Sequence, residues 1–412
     1  LDDFRKKDTE VLRNRLRHQQ SVELVGMKRV GINNFLRFYL GKNSAEKQED
    51  FLYISIDLND LIEREIFPFW RLMFKRIVDA TEASDITEEY KKRIARLFLD
   101  AIQSGDLFMT YDGIRSSLGL LAQAKKKPTI IFTRFDRLKE AVTPEFFDNL
   151  QGLHNAAGRN LSYVFTSFRE LEKLSPAVFQ KNLLSGFTHK MYIQPASEAD
   201  AFNLFEILAQ QFELTLDEKT IRELVRLSGG HVQYLRLILL ILHELQRDDD
   251  YNTKIMHDER VLLQSEELWE SLEHGEQEVL KKIARQEKIS LKEKEETKYL
   301  WDTGIVTEKN VLFSPLFQQY VAVMSSKQAE YMSVEFSRKE YLLFNLLKEN
   351  KDAITERERI IEIVWSEYQD FGVSDWSLDR LVARVRNKLK KQNSTMEIIT
   401  IRTRGYKLVE NS

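Results

Sequence analysis

The chain has no cysteine, which excludes disulfides, thiolate metal sites and cysteine nucleophiles and agrees with a reducing compartment. Only 6 prolines and 15 glycines are spread over 412 residues. With so few breakers the reading leans helical. Long hydrophobic runs are also missing. The most apolar stretch, Leu235–Leu242, carries Arg236 and is closed by His243 and Glu244. It is too short to span a bilayer and reads as a buried helix. No charge of one sign dominates: the net charge of −3 excludes a uniformly basic coat for nucleic acid and leaves room only for a local basic face. The charged start has no signal-peptide profile, so a cytoplasmic protein without membrane association is expected.

What is present is a soluble-type composition, 31% charged and 42% hydrophobic, long enough for two to four domains. Residues 1–20 read as a charged helical arm. Short β-rich runs follow at Val22–Val25, Phe51–Ile56, Thr129–Thr133, Ser162–Thr166 and Lys190–Ile193. Apolar runs of this length, alternating with helices, predict a parallel sheet covered on both faces. The insert at roughly 60–127 has a helical pattern. Ser197-Glu198-Ala199-Asp200 is an N-cap with an acidic first turn, opening helices that break at Gly229-Gly230. Residues 252–327 read as helices with a short hairpin from Ile305–Val306 to Val311–Phe313, and 334–412 as helices followed by a two-stranded hairpin. No internal repeat or low-complexity linker is visible.

The segment Val22–Leu40 reads VELVGMKRVGINNFLRFYL. A strand, then Gly26 and Gly31 with four residues between them, then an amphipathic helix is the layout of a phosphate-binding loop. Glycines let the backbone approach closely, and the helix start offers free N–H groups to an anion. A working loop continues with Lys for the phosphates and Ser or Thr for Mg²⁺; here Ile32 and Asn33 stand there. Taken alone, the pattern is equally a turn with no ligand.

Three further segments decide it: Thr129–Leu138 (TIIFTRFDRL), Leu161–Phe168 and Leu227-Ser228-Gly229-Gly230-His231. With Ser314-Pro315-Leu316-Phe317, they make residues 10–327 resemble STAND-type and Orc/Cdc6-like AAA+ NTPases. In that resemblance the Mg²⁺-holding Asp falls on Thr133 and the water-activating Glu on Arg134, leaving Asp136 as the nearby carboxylate. The phosphate-neutralising Lys, the metal ligands and the general base are then all missing, and phosphoryl transfer depends on just those groups. The site is expected to be catalytically inactive, without metal or obligatory cofactor. Weak ATP or ADP binding through the loop backbone, helped by Lys28 or Arg29, stays open. Arg134 and Asp136 are expected to fill the old metal site as a pair, against the alternative of a solvated Arg. His231 sits at a sensor position in the resemblance, but a capping or packing role is expected.

The C-terminal segment is the most specific signal. Phe336–Lys348 (FSRKEYLLFNLLK) sets Tyr341, Phe344 and Leu347 along one helical face, Ile360–Trp365 gives a second helix, and Trp376–Lys391 a third. The third places Leu378, Leu381, Val382, Val385 and Leu389 at core spacing, and Arg380, Arg384, Asn387, Lys388 and Lys391 opposite. Ile398–Val409 (IITIRTRGYKLV) is two strands about a turn at Thr403–Gly405. Residues 376–409 hold nine Lys and Arg against two acids, whereas 331–375 hold six against ten. That segregation suits a helix reading the major groove and a wing on phosphate or minor groove; a solvated basic helix is the plain alternative. Residues 334–409 resemble the OmpR/PhoB-type winged-helix effector domain, on Thr400-Ile401-Arg402-Thr403-Arg404-Gly405-Tyr406 and Arg386-Asn387-Lys388-Leu389. The resemblance implies that Arg380, Arg384, Asn387 and Lys388 face the major groove, that Arg402 and Arg404 sit on the wing, and that Lys390 and Lys391 touch backbone.

The expected architecture is multidomain: an α/β P-loop NTPase-like parallel sheet (1–195), a helical lid (196–250), a middle winged-helix-like domain (251–330) and the terminal winged helix (334–412). The expected function is a DNA-binding, transcription-regulating protein on double-stranded DNA. Its inactive NTPase-like body would serve self-association or protein docking. No phosphorylatable receiver precedes the effector in this chain, so another module is expected to control it. Two other readings stay open here. One is a nucleotide-switched STAND or AAA+ ATPase acting on DNA; the other is a scaffold whose winged helices pack on protein.

Overall fold

The computed structural model describes residues 4–45, 50–174, 176, 187–245, 250–325, 336, 338–365, 375–392, 394–401 and 404–410. The chain divides into two compact units, Leu1–Val321 and Ala322–Ser412.

In the first unit, helix α1 (Lys6–Arg17) precedes strand β1 (Val22–Val25) and helix α2 (Ile32–Ala45). Strand β2 (Phe51–Asp57) leads into the helical insert α3 (Ile66–Glu82), α4 (Glu88–Ser104) and α5 (Leu107–Gln123). Then come β3 (Lys127–Thr133), α6 (Pro144–Ala156), β4 (Ser162–Ser167), the single turn α7 (Leu171–Leu174) and β5 (His189–Tyr192). Among the described residues these strands form a parallel five-stranded sheet in the order β2-β3-β4-β1-β5. Val22 is paired with Val164 on one side and His189 on the other. β1 and β4 lie centrally and are buried throughout, as central strands of a parallel sheet covered on both faces are. Phe69, Trp70, Phe132, Phe135, Phe146, Phe147 and Phe165 build an aromatic core between the insert and the sheet.

Helices α8 (Glu198–Gln211), α9 (Glu218–Ser228) and α10 (Val232–Glu244) follow. The Ser197 hydroxyl accepts from the Asp200 N–H at 3.1 Å, so the expected N-cap is present. The unit continues through α11 (Tyr251–His257), α12 (Glu259–Glu270), α13 (His274–Ala284), α14 (Leu291–Glu296) and α15 (Tyr299–Asp302). The expected hairpin after them is a single antiparallel bridge, Val306 to Leu312, before α16 (Pro315–Ser325).

The second unit has its own core. Helices α17 (Arg338–Glu349), α18 (Arg357–Val364) and α19 (Asp375–Lys391) pack on strands β7 (Met396–Ile401) and β8 (Gly405–Glu410). The sheet is three-stranded rather than two-stranded, because β6 (Thr355–Glu356) pairs antiparallel with β8. The inward residues of α19 are those expected: Leu378, Leu381, Val382, Val385 and Leu389 are all buried. On α17 the expected face is displaced. Tyr341 is exposed, and Leu343, Leu346 and Leu347 point into the core.

Candidate nucleic-acid interface and phosphate-type loop

In the second unit, α19 presents Asp379, Ala383, Asn387 and Lys390 as its exposed positions among the described side chains. Arg384 and Lys388, expected to face the major groove, both turn to a buried carboxylate of α17. The Arg384 Nε lies 3.3 Å from one oxygen of Glu340 on α17, and the Lys388 Nζ 2.6 Å from the other. The Glu340 side chain is only 1% exposed, with Arg384 at 13% and Lys388 at 16%. A carboxylate taken this far out of water needs opposite charge beside it. The sequence held a signal for this: Glu340 precedes Leu343 and Leu347 by three and seven residues, which places it on the buried stripe of its own helix.

Other basic residues also brace the fold. The Arg386 Nε donates to the Ile398 carbonyl at 2.7 Å and its Nη2 to the Thr400 hydroxyl at 2.8 Å, fastening α19 to β7. Arg357 donates to Asp379 at 2.6 Å and to the Tyr406 hydroxyl at 2.9 Å, while Tyr406 itself donates to Asp379. Burial, then the hydrogen bond to Asp379, pushes the Tyr406 phenol up to about 12. Gly405 is required by the approach of β6: a Cβ there would meet the Thr355 carbonyl oxygen at 2.0 Å. Arg380 is half-buried and Arg404 exposed at the start of the β8 hairpin arm. Arg402 and the side chain of Lys391 lie outside the described residues.

In the first unit, the Gly26–Gly31 loop joins β1 to α2 as expected, and it packs closely against neighbouring elements of its own unit. The Gly26 N–H donates to the Ser167 carbonyl at 3.3 Å. Gly31 has φ +109°, and a Cβ there would meet Val232 Cγ2 at 2.5 Å. Next to Val232, His231 is fully buried, and its Nε2 lies 2.9 Å from the Lys28 carbonyl oxygen. That oxygen can only accept, so Nε2 carries the proton, and Nδ1 accepts the Tyr234 N–H at 3.4 Å to cap α10. Burial lowers the imidazole to about 4, outweighing the bond to Lys28. His231 is therefore a neutral capping and packing residue.

Lys28 and Arg29 turn to Glu267 on α12, at 4.0 and 2.8 Å, and the Glu267 side chain is 5% exposed. The Lys28 ammonium also lies 4.7 Å over the Phe168 ring. Ile32 and Asn33 open α2, where a working loop has its Lys and hydroxyl. At the end of β3, Thr133 is buried and Arg134 takes a left-handed backbone, φ 59°. The Arg134 N–H donates to the Thr166 hydroxyl at 3.0 Å, while its guanidinium pairs with Asp57 at the end of β2. The expected Arg134–Asp136 pair is thus replaced by Arg134–Asp57. Burial works to raise Asp57, but hydrogen bonds led by Arg134 hold it below its ordinary value. Asp136 goes the other way, raised by burial. Asp57 and Glu267 were not foreseen, because each meets its partner only through the fold.

Residues 331–408 match the family described as "Transcriptional regulatory protein, C terminal". The heme response regulator HssR of Staphylococcus aureus is 34% identical over 96 residues, covering 23% of this chain and 40% of that protein. The transcriptional regulatory protein YxdJ of Bacillus subtilis is 29% identical over 108 residues, covering 22% of this chain and 46% of that protein. The match spans less than half the length of either relative. Among solved structures, the Walker-type ATPase of Pyrococcus abyssi is similar over 77% of this chain and 95% of its own, at 16% identity and a TM-score of 0.49. The chain carries a parallel α/β module of P-loop NTPase-like fold, with a glycine loop between β1 and α2, and at its C-terminus a winged-helix domain that matches the C-terminal domain of OmpR/PhoB-type transcriptional regulators.

Proposed function

We propose that the chain is a DNA-binding transcriptional regulator whose NTPase-like module no longer hydrolyses nucleotide and serves instead to dock protein. The observation that carries the DNA half is the winged-helix architecture of 338–410, with its basic charge gathered on α19 and the β7–β8 hairpin. Asn387 and Lys390 on the helix and Arg404 at the hairpin are the exposed contacts. Asn can pair with adenine, and Lys and Arg hold phosphate. Arg384 and Lys388 act one step back, keeping α19 seated on α17 through Glu340.

The loss of hydrolysis is supported by the chemistry of the loop. Ile32 cannot neutralise phosphate, and Asp57 is committed to Arg134. Lys28 and Arg29, which could have assisted a nucleotide, are paired with Glu267. Phosphoryl transfer rests on positioning and charge neutralisation, and these residues provide neither. Two measurements on the purified chain test the reading. It should retain a duplex selected from random sequence while releasing no phosphate from ATP above the buffer rate. Steady turnover refutes the enzymatic half, and failure to select any duplex refutes the DNA half.

A further inference from the structure

The helical insert belongs to the module proposed above to dock protein, a reading on which this inference rests, and it holds the densest group of exposed apolar side chains among the described residues. Leu99 (53% exposed) and Ile102 end α4, and Leu107, Phe108 (71% exposed) and Met109 begin α5. All five fall within eleven residues around the turn at Gly105, at the tip of an antiparallel hairpin whose other face packs into the core through Ile94, Ile114 and Leu118. Single exposed apolar residues are ordinary, but a contiguous group of this kind marks a contact surface.

A cleft of about 830 Å³ between α4 and α5 lies on the same hairpin. Its floor includes Leu97 and Leu120, Ser116 and Gln123 stand on one wall, and Lys92, Arg93 and Arg96 line the other. Lys91 and Lys126 nearby are matched by Glu88 and Asp85. Arg96 pairs with Asp100 at 3.2 Å one turn along its own helix, and for Lys92 and Arg93 no acidic partner is found among the described residues. Lys92, Arg96 and Leu99 fall on one stripe of α4, as do Met109, Ser116 and Gln123 on α5, so the basic cleft runs along the groove towards the apolar tip. From Lys92 to Leu99 the helix rises about 10 Å, two turns of a partner helix.

We propose that the α4–α5 hairpin is a docking surface for an amphipathic helix of a partner protein, with carboxylates entering the Lys92–Arg93–Arg96 cleft and apolar residues covering Phe108 and its neighbours. Charge complementarity selects this occupant. An acidic helix meets Lys92 and Arg93, and Arg96 beside them, while its apolar stripe covers the tip, the pattern of helix-in-groove recognition. An anionic bilayer fits less well, because the side chains that would enter it are flanked by Asp100, Asp106 and Asp112, which like charge repels. This inference does not depend on the state of the phosphate-type loop.

The test is selection of a displayed library of random 16-residue helical peptides against the full chain. The expected winners carry Asp or Glu towards one end and Leu or Phe at i, i+4 spacing towards the other. Their saturable binding should fall at least tenfold with Phe108→Asp and, separately, with Arg93→Glu/Arg96→Glu. All three side chains are exposed, and circular dichroism confirms that the variants stay folded; the arginine pair keeps the test open if Phe108→Asp does not. Winners that are neutral or basic, or that bind both variants like the parent, overturn the proposal. So does Phe108-dependent binding to phosphatidylglycerol–phosphatidylcholine vesicles, or Phe108-dependent self-association in sedimentation, with no peptide enriched.

Discussion

Replacing Glu340 by Gln removes the carboxylate that faces both Arg384 and Lys388. All three side chains are largely dehydrated, at 1%, 13% and 16% exposed. Deleting one partner of a buried ion pair costs about 3–5 kcal/mol, because the remaining charge stays buried without compensation. Gln keeps the shape and one acceptor oxygen, and the outer ends of both cations still reach water, so the low end applies, about 3 kcal/mol. At about 1.4 kcal/mol per decade this is an increase of about 100-fold in the opening of α19. Native-state hydrogen exchange on the full chain reads it directly, at the amides of the buried Val382 and Val385. The triple variant Glu340→Leu/Arg384→Met/Lys388→Met should recover most of the loss, since apolar replacements of a whole buried pair are near neutral. A change below about threefold for Glu340→Gln, which is under 1 kcal/mol, would show a solvent-like pair and refute this orientation of the helix.

Two titrations in the first unit pull in opposite directions. Glu23 is buried in β1, accepts the Leu171 N–H at 2.5 Å, and is raised by burial to about 7. Its folded pKa exceeds the ordinary 4.5, so the unit loses stability as pH rises from 4.5 to about 7, by about 3 kcal/mol from this group. Glu23→Gln should therefore stabilise most above pH 7, as urea unfolding at pH 5 and pH 8 would show; equal effects at both would contradict it. His231, lowered from 6.5 to about 4, makes the unit lose stability as pH falls through that window, again by about 3 kcal/mol. His231→Asn keeps a capping acceptor and should flatten that acid limb; an unchanged limb would show that the imidazole does not resist protonation. Gly405→Ala puts a methyl against the Thr355 oxygen and should lower the melting stability of the second unit by about 2–4 kcal/mol. A variant as stable as the parent would mean that β6 does not press on β8.

The parallel strands were legible as short β-rich runs alternating with helices, of which β1 and β4 are buried throughout. The inward side of α19 was legible because five apolar residues repeat at helical spacing. β6 was not, since two residues, Thr355 and Glu356, carry no pattern. On α17 a spacing of three through Tyr341, Phe344 and Leu347 competed with the true stripe of Leu343, Leu346 and Leu347; the run is apolar on most sides, so periodicity could not choose. The basic stripe of α19 was visible as charge, but not its division into outward and inward cations. That division depends on Glu340, 48 residues before Lys388. Similarly, Ile32 and Asn33 in the loop were readable, whereas Glu267 became the partner of Lys28 and Arg29, and Asp57 that of Arg134, only once α12 and β2 were folded beside them.

Duplex affinity of the full chain measured against salt concentration tests the central claim most directly. With ~5 phosphate contacts, the plot of log affinity against log salt should fall with a slope of about −4.5. Lys390→Glu with Arg404→Glu should remove about two contacts and bring the slope to about −2.7 while the domain stays folded. A flat line for the parent, or an unchanged slope for the double variant, would contradict the claim that this exposed basic face meets DNA.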